Sequence, residues 1–136
     1  MTSSVTRPTV TITRRVEWFD TDAAGHHHHG AVLRWVEAAE AELLRRYGQE
    51  GLFGRTPRVR YEVDYSERLW FGQIVEIELA IARLGEKSMR YEFTVRSGSS
   101  VAATGSMVVA FAAPDSPRAA PWPDDVRAAL SNPLGS

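Results

Sequence analysis

One stretch of this chain has a helical period long enough for a substantial helix, and nearly every other apolar segment alternates. From about Gly30 to Tyr47, the residues Val32, Val36, Ala39, Leu43 and Tyr47 recur at spacings of three and four. Leu33, Trp35 and Leu44 widen that stripe, while Arg34, Glu37, Glu40, Glu42, Arg45 and Arg46 hold the other side. Glu42 and Arg46 are spaced to pair at i,i+4, and Gly48 is a natural stop. So wide a stripe needs a broad cover, and a sheet is the obvious one.

The alternating segments supply that sheet. Val10, Ile12, Val16 and Trp18 fall on even positions among polar residues, a period of two that is imperfect at Arg14. After the helix, Val59, Tyr61, Val63 and Tyr65 alternate with charged residues. Val75, Ile77, Leu79 and Ile81 do so mainly with polar or small ones. Met89, Tyr91, Phe93 and Val95 make a third such row, and Val101, Ala103, Met107, Val109 and Phe111 a fourth. Gly85-Glu86 and Ser97-Gly98-Ser99 read as hairpin turns, and consecutive hairpins make an antiparallel meander. Ala112 to Pro123, rich in proline and alanine, reads as a linker, with one or two helical turns at Asp124 to Leu130. The expectation is one α+β domain with its core at about 9–112 and a tail over 113–136.

Bulk properties narrow the function. The chain has 136 residues, enough for one ordinary domain. Its formal net charge is -1 with no basic run, so it offers no stripe for nucleic acid, though a small anion needs only two or three cations. It has no cysteine, which removes disulfides, thiolate nucleophiles and Cys-ligated zinc. Met1 to Pro8 is polar, and no apolar run approaches membrane-spanning length. A soluble cytoplasmic protein without membrane or nucleic-acid partners is expected.

The segment Val16-Glu-Trp-Phe-Asp-Thr-Asp-Ala-Ala-Gly25, followed after four residues by a helix containing Arg34-Trp35, resembles the 4-hydroxybenzoyl-CoA thioesterase family of hotdog proteins. That family carries Asp-x-Asp-x-x-Gly between its first strand and central helix. Tyr61-Glu-Val-Asp-Tyr65, Phe71-Gly-Gln-Ile74 and Lys87-Ser88 match its later strands and turns, with Gln73 in place of the usual Asp. The resemblance spans roughly residues 10–111. It implies a five-stranded antiparallel sheet wrapped around one long central helix, and hydrolysis of an acyl-CoA thioester. It also implies sheets joined edge to edge in dimers, often paired into tetramers, with active sites at the subunit interface.

Thioester hydrolysis needs a nucleophile, donors for the developing oxyanion and a hold on the coenzyme. The resemblance makes Asp22 the carboxylate, attacking the thioester to form an anhydride or activating water, while Asp20 braces the loop. Both routes need an ionised acid, which an ordinary Asp supplies at neutral pH. Backbone amides around His29 and Gly30 are the candidate oxyanion donors, because helix amino ends present N–H groups and favour negative charge. His29 is a candidate donor to the thioester or leaving group. His26, His27 and His28 read as loop imidazoles. No metal site is expected, since four consecutive residues cannot all face one ion.

Glu37 is a rival carboxylate two turns past Gly30, where another hotdog thioesterase branch places its catalytic Glu; otherwise it is a surface or interface charge. Lys87, Ser88 and Arg90 are candidates for the coenzyme phosphates, with Arg83 and Arg58 weaker ones. No cofactor is expected beyond coenzyme A as part of the substrate; an acyl carrier protein is the alternative carrier. Two other readings compete. One is a dehydratase or hydratase acting on acyl thioesters through His29 and Glu37, and the other is a non-catalytic module that binds them. The aromatics Trp18, Phe19, Trp35, Phe53, Trp70 and Phe71 leave the acyl group open.

Overall fold

A computed structural model describes residues 7–21 and 29–134. Its elements are β1 (Thr9–Arg15), α1 (His29–Arg46), β2 (Arg58–Tyr65), β3 (Ile74–Leu84), β4 (Ser88–Ser97), β5 (Ser100–Ala110) and α2 (Asp124–Leu130), with single 3-10 turns at Trp18–Asp20 and Glu50–Leu52. The strands form one antiparallel sheet in the order β1-β3-β4-β5-β2. This is the hotdog arrangement expected above. Among the described residues no helix is long and apolar enough to cross a membrane.

The strand order explains the helix. α1 links β1 at one edge of the sheet to β2 at the other, so it must cross a face. Five strands at ~4.8 Å spacing span ~19 Å. The 18 residues of α1, at ~1.5 Å each, span ~27 Å and reach across. Val32, Trp35, Val36, Ala39, Leu43 and Leu44 are buried there. Opposite them lie Val10 and Ile12, then Val75, Ile77, Leu79 and Ile81, then Met89, Tyr91, Phe93 and Val95. Their register keeps like faces together: Ile12 lies opposite Ile77, Ile77 opposite Val95 and Leu79 opposite Phe93.

The two expected hairpins make a meander of three strands. β3, β4 and β5 are joined by the two hairpins, but β2 lies beyond β5 at the far edge. Residues 66–73 must therefore carry the chain back to β3, beside β1. Trp18 departs from expectation. β1 ends at Arg15, Val16 is the last inward side chain, and the 3-10 turn leaves Trp18 68% and Phe19 70% exposed. The tail is not a linker. Trp122, Val126 and Leu130 are buried in the main core, Trp122 packs 5.3 Å from Phe111, and Ala112 bridges to Ala119.

Gly105 on β5 is needed for space. A Cβ there would stand 2.6 Å from Phe93 Cζ and would collide with the Glu62 carbonyl of β2. Phe93 uses the gap to stack on Tyr61, 5.9 Å away. Gly105→Ala is expected to lower stability by about 1–3 kcal/mol through overpacking, read as a shift in the urea midpoint.

Candidate active site

The start of the connection between β1 and α1 is tied to the helix by one ion pair. Asp20 is 2% exposed. Its carboxylate accepts from the Glu17 amide at 2.8 Å and, by a short charged bond, from Nη2 of Arg34 on α1. A buried carboxylate without partners would be costly, so these contacts fix the turn and tie it to the early part of α1. The Arg34 guanidinium also lies over the Phe19 ring, 5.6 Å from its centre. Thr21 closes the turn, with its amide and hydroxyl both donating to the Trp18 carbonyl at 3.1 and 2.6 Å.

Asp22 and His26, His27 and His28 lie outside the described residues. His29 opens α1, and its side chain is outside the description too. Gly30 is exposed at the amino end of α1, where a substrate can approach the backbone. Beside the loop, Trp18 meets Phe71 edge-on at 5.6 Å. Gln73, in place of the family's Asp, accepts from the Trp70 amide at 2.6 Å and donates to Ser97 Oγ at 3.3 Å. It shapes the turn that carries Gly72 at φ +90°, a left-handed conformation suited to glycine.

Glu37 belongs to a second charged cluster. Arg58, at the start of β2, donates to Glu37 at 3.2 and 3.3 Å and to Glu40 at 2.6 and 3.0 Å. Glu40 was expected on the polar side of the helix, yet it is 5% exposed. It follows Val36 by four and precedes Leu44 by four, so the apolar stripe ran through it. Arg58, a weaker coenzyme candidate by sequence, is thus engaged by two carboxylates. Burial pulls its pKa down, but hydrogen bonds and charge from Glu40 and then Glu37 outweigh this and raise it. The Tyr91 hydroxyl is buried near Glu40 without a well-formed hydrogen bond, and burial first, then Glu40, pushes its pKa well up.

Lys87, Ser88 and Arg90 do come together. With Arg83, Gly85, Glu86 and Val108 they line an open groove of about 600 Å³ at the β3–β4 hairpin. Three cations against one acid suit a polyanion. This groove and the Asp20 loop stand at opposite ends of one subunit. Arg15 pairs with Ile74 at the start of β3, whereas the hairpin follows Leu84 at its end. Ten residue steps of strand separate them, about 30 Å.

The thioesterase-like superfamily model matches residues 16–130. The chain belongs to that superfamily, and it is a thioester hydrolase. Among its relatives is a 1,4-dihydroxy-2-naphthoyl-CoA hydrolase of Prochlorococcus marinus, 28% identical over an alignment of 106 positions that covers 67% of this chain and 68% of the relative. A thioesterase from Thermus thermophilus, solved with coenzyme A and zinc, superposes with a TM-score of 0.82 at 26% identity. The alignment covers 91% of this chain and 92% of that one. A gentisyl-coenzyme A thioesterase gives 0.80 at 26% identity over 90% of this chain and all of that one.

Arg58→Met would strand the buried Glu40 charge. The variant is expected to lose about 3 kcal/mol of stability in urea unfolding, while Glu37→Gln, on a half-exposed pair, loses under about 1 kcal/mol.

Proposed function

We propose that this thioester hydrolase acts on acyl-CoA in the cytoplasm, as a homodimer or a pair of dimers, with Asp22 as its working carboxylate. The observation that carries the reading is the Asp20–Arg34 tie. Asp20 precedes Asp22 by two residues and is bonded to the second turn of α1. That tie supports a reading in which a carboxylate two residues further on would work beside the amino end of a long buried helix. That is the place for an acid and an oxyanion site to converge on one carbonyl.

The carbonyl oxygen would rest on backbone amides of the first turn of α1, with Gly30 among them. Negative charge grows on this oxygen as the tetrahedral centre forms, and the helix dipole favours it there. Asp22 either attacks the carbonyl carbon, giving an acyl-aspartyl anhydride that water then opens, or takes a proton from the water that attacks. Either way the sulfur leaves with the coenzyme and one water is consumed. His29 would donate a hydrogen bond to the thioester or the departing sulfur.

Lys87, Ser88 and Arg90 would receive the coenzyme phosphates, and the 30 Å separation within one subunit favours a composite site. A two-fold axis that joins like strand edges antiparallel reverses the partner's strands, bringing the partner subunit's hairpin end toward this subunit's loop end. The coenzyme A complex of the Thermus relative and the CoA esters named for the other two support coenzyme A over an acyl carrier protein. The Arg58 pair speaks against Glu37 as the base, and so against the dehydratase reading.

Thiol release from a panel of aromatic and aliphatic acyl-CoAs tests the activity. Asp22→Asn is expected to keep the fold and lower kcat by at least ~100-fold, with Glu37→Gln milder. A larger loss at Glu37 than at Asp22 would move the chemistry to the helix, and enoyl-CoA hydration without thiol release would make the protein a hydratase.

A further inference from the structure

The β3–β4 hairpin that carries the basic groove is gripped by the tail. All four carbonyls from Gly85 to Ser88 are engaged. Gly85 O accepts from Arg127 Nη2 at 2.6 Å. Glu86 O accepts from the Trp122 amide at 3.2 Å and from Arg127 Nη2 at 3.5 Å. Lys87 O accepts from the Phe111 amide at 3.0 Å. Ser88 O accepts from the Gly85 amide at 2.8 Å and from the Trp122 indole Nε1 at 3.1 Å. The tail is itself anchored: Trp122 is 4%, Val126 6% and Leu130 1% exposed.

None of Phe111, Trp122 and Arg127 lines the groove. The hairpin is thus fastened by residues outside the groove that Arg83, Lys87 and Arg90 line. An exposed β-hairpin tip is otherwise an adaptable element whose ordering would have to accompany binding. A carbonyl oxygen turned toward a phosphate would repel it, and these tethers hold four of them to the tail, to the end of β5 or within the turn.

We propose that Trp122 and Arg127 are positioning residues for coenzyme binding: they hold the Gly85–Ser88 hairpin in the shape that presents Lys87, Ser88 and Arg90 to the phosphates. The proposal rests on the reading of that groove as the coenzyme site. It assigns a role to the tail segment that carries Trp122 and Arg127, and it requires neither residue to touch substrate.

Calorimetric titration of the full chain with coenzyme A, and separately with pantetheine, which lacks the nucleotide phosphates, tests it without knowledge of the acyl group. Arg127→Met is expected to weaken coenzyme A by about 10-fold and leave pantetheine unchanged. Arg127→Lys, which keeps a donor for the Gly85 carbonyl, should recover most of the loss. Trp122→Phe keeps the buried ring, removes the indole N–H, and serves as the second variant if Arg127→Met unfolds; a selective loss for coenzyme A is expected there too. Lys87→Ala distinguishes the groove itself from its support by the tail. If Lys87→Ala weakens coenzyme A while the tail variants do not, the positioning role is wrong and the groove stands. If Lys87→Ala also has no effect, the groove reading fails and the proposal fails with it. Equal losses for coenzyme A and pantetheine in the tail variants would show general loosening and overturn the proposal.

Discussion

The burial of α1 by the sheet is the constraint on which the rest depends. The helix joins strands at opposite edges, so covering its apolar stripe and closing the sheet's topology are one requirement. Val32, Val36 and Leu43 cannot leave the core without uncovering the inward rows of β3 and β4. Each such side chain contributes about 1.5–3 kcal/mol when fully buried. The amino end of the helix is consequently fixed relative to the sheet, and a backbone site built there inherits that rigidity.

Polar contacts then decide what stands around the helix. Among the described residues two carboxylates are buried beside it, and each has an arginine: Asp20 has Arg34, and Glu40 has Arg58. Such pairs add little net stability over apolar substitutes, but an unpaired member is strongly disfavoured, so they select one arrangement. The first sets where the β1–α1 loop begins, and the second sets where β2 meets the helix. The tail acts on the opposite end of the sheet in a similar way, through backbone carbonyls rather than charge.

Much of this architecture was legible as periodicity. The alternating rows gave the four later strands, and the three-and-four spacing gave the helix to within a residue or two, because burial on one face imposes those periods directly. Gly85-Glu86 and Ser97-Gly98-Ser99 marked the hairpins by turn chemistry. Strand order was not legible, since β2 and β3 look equally like meander neighbours and only the sheet's closure over the helix separates them. Trp18 misled because the alternation ends after Val16, and a 3-10 turn starting at Trp18 turns its side chain outward. Glu40 was hidden by its charge, although its position lay within the apolar stripe. Trp122, Val126 and Leu130 were lost among prolines and alanines, where one tryptophan was the signal of packing. Arg34 as the partner of Asp20, the first acid of the Asp-x-Asp-x-x-Gly segment, is a contact fourteen residues apart that no local pattern announces.

A crystal structure with a hydrolysis-resistant acyl-CoA analogue tests the central claim most directly. The carbonyl oxygen, or the atom replacing it, is expected to accept from amides in the first turn of α1. The Asp22 carboxylate is expected within about 3–3.5 Å of the carbonyl carbon or of a water poised to attack it. A carbonyl lodged against Glu37, with the carboxylate at position 22 turned to bulk solvent, would contradict that claim.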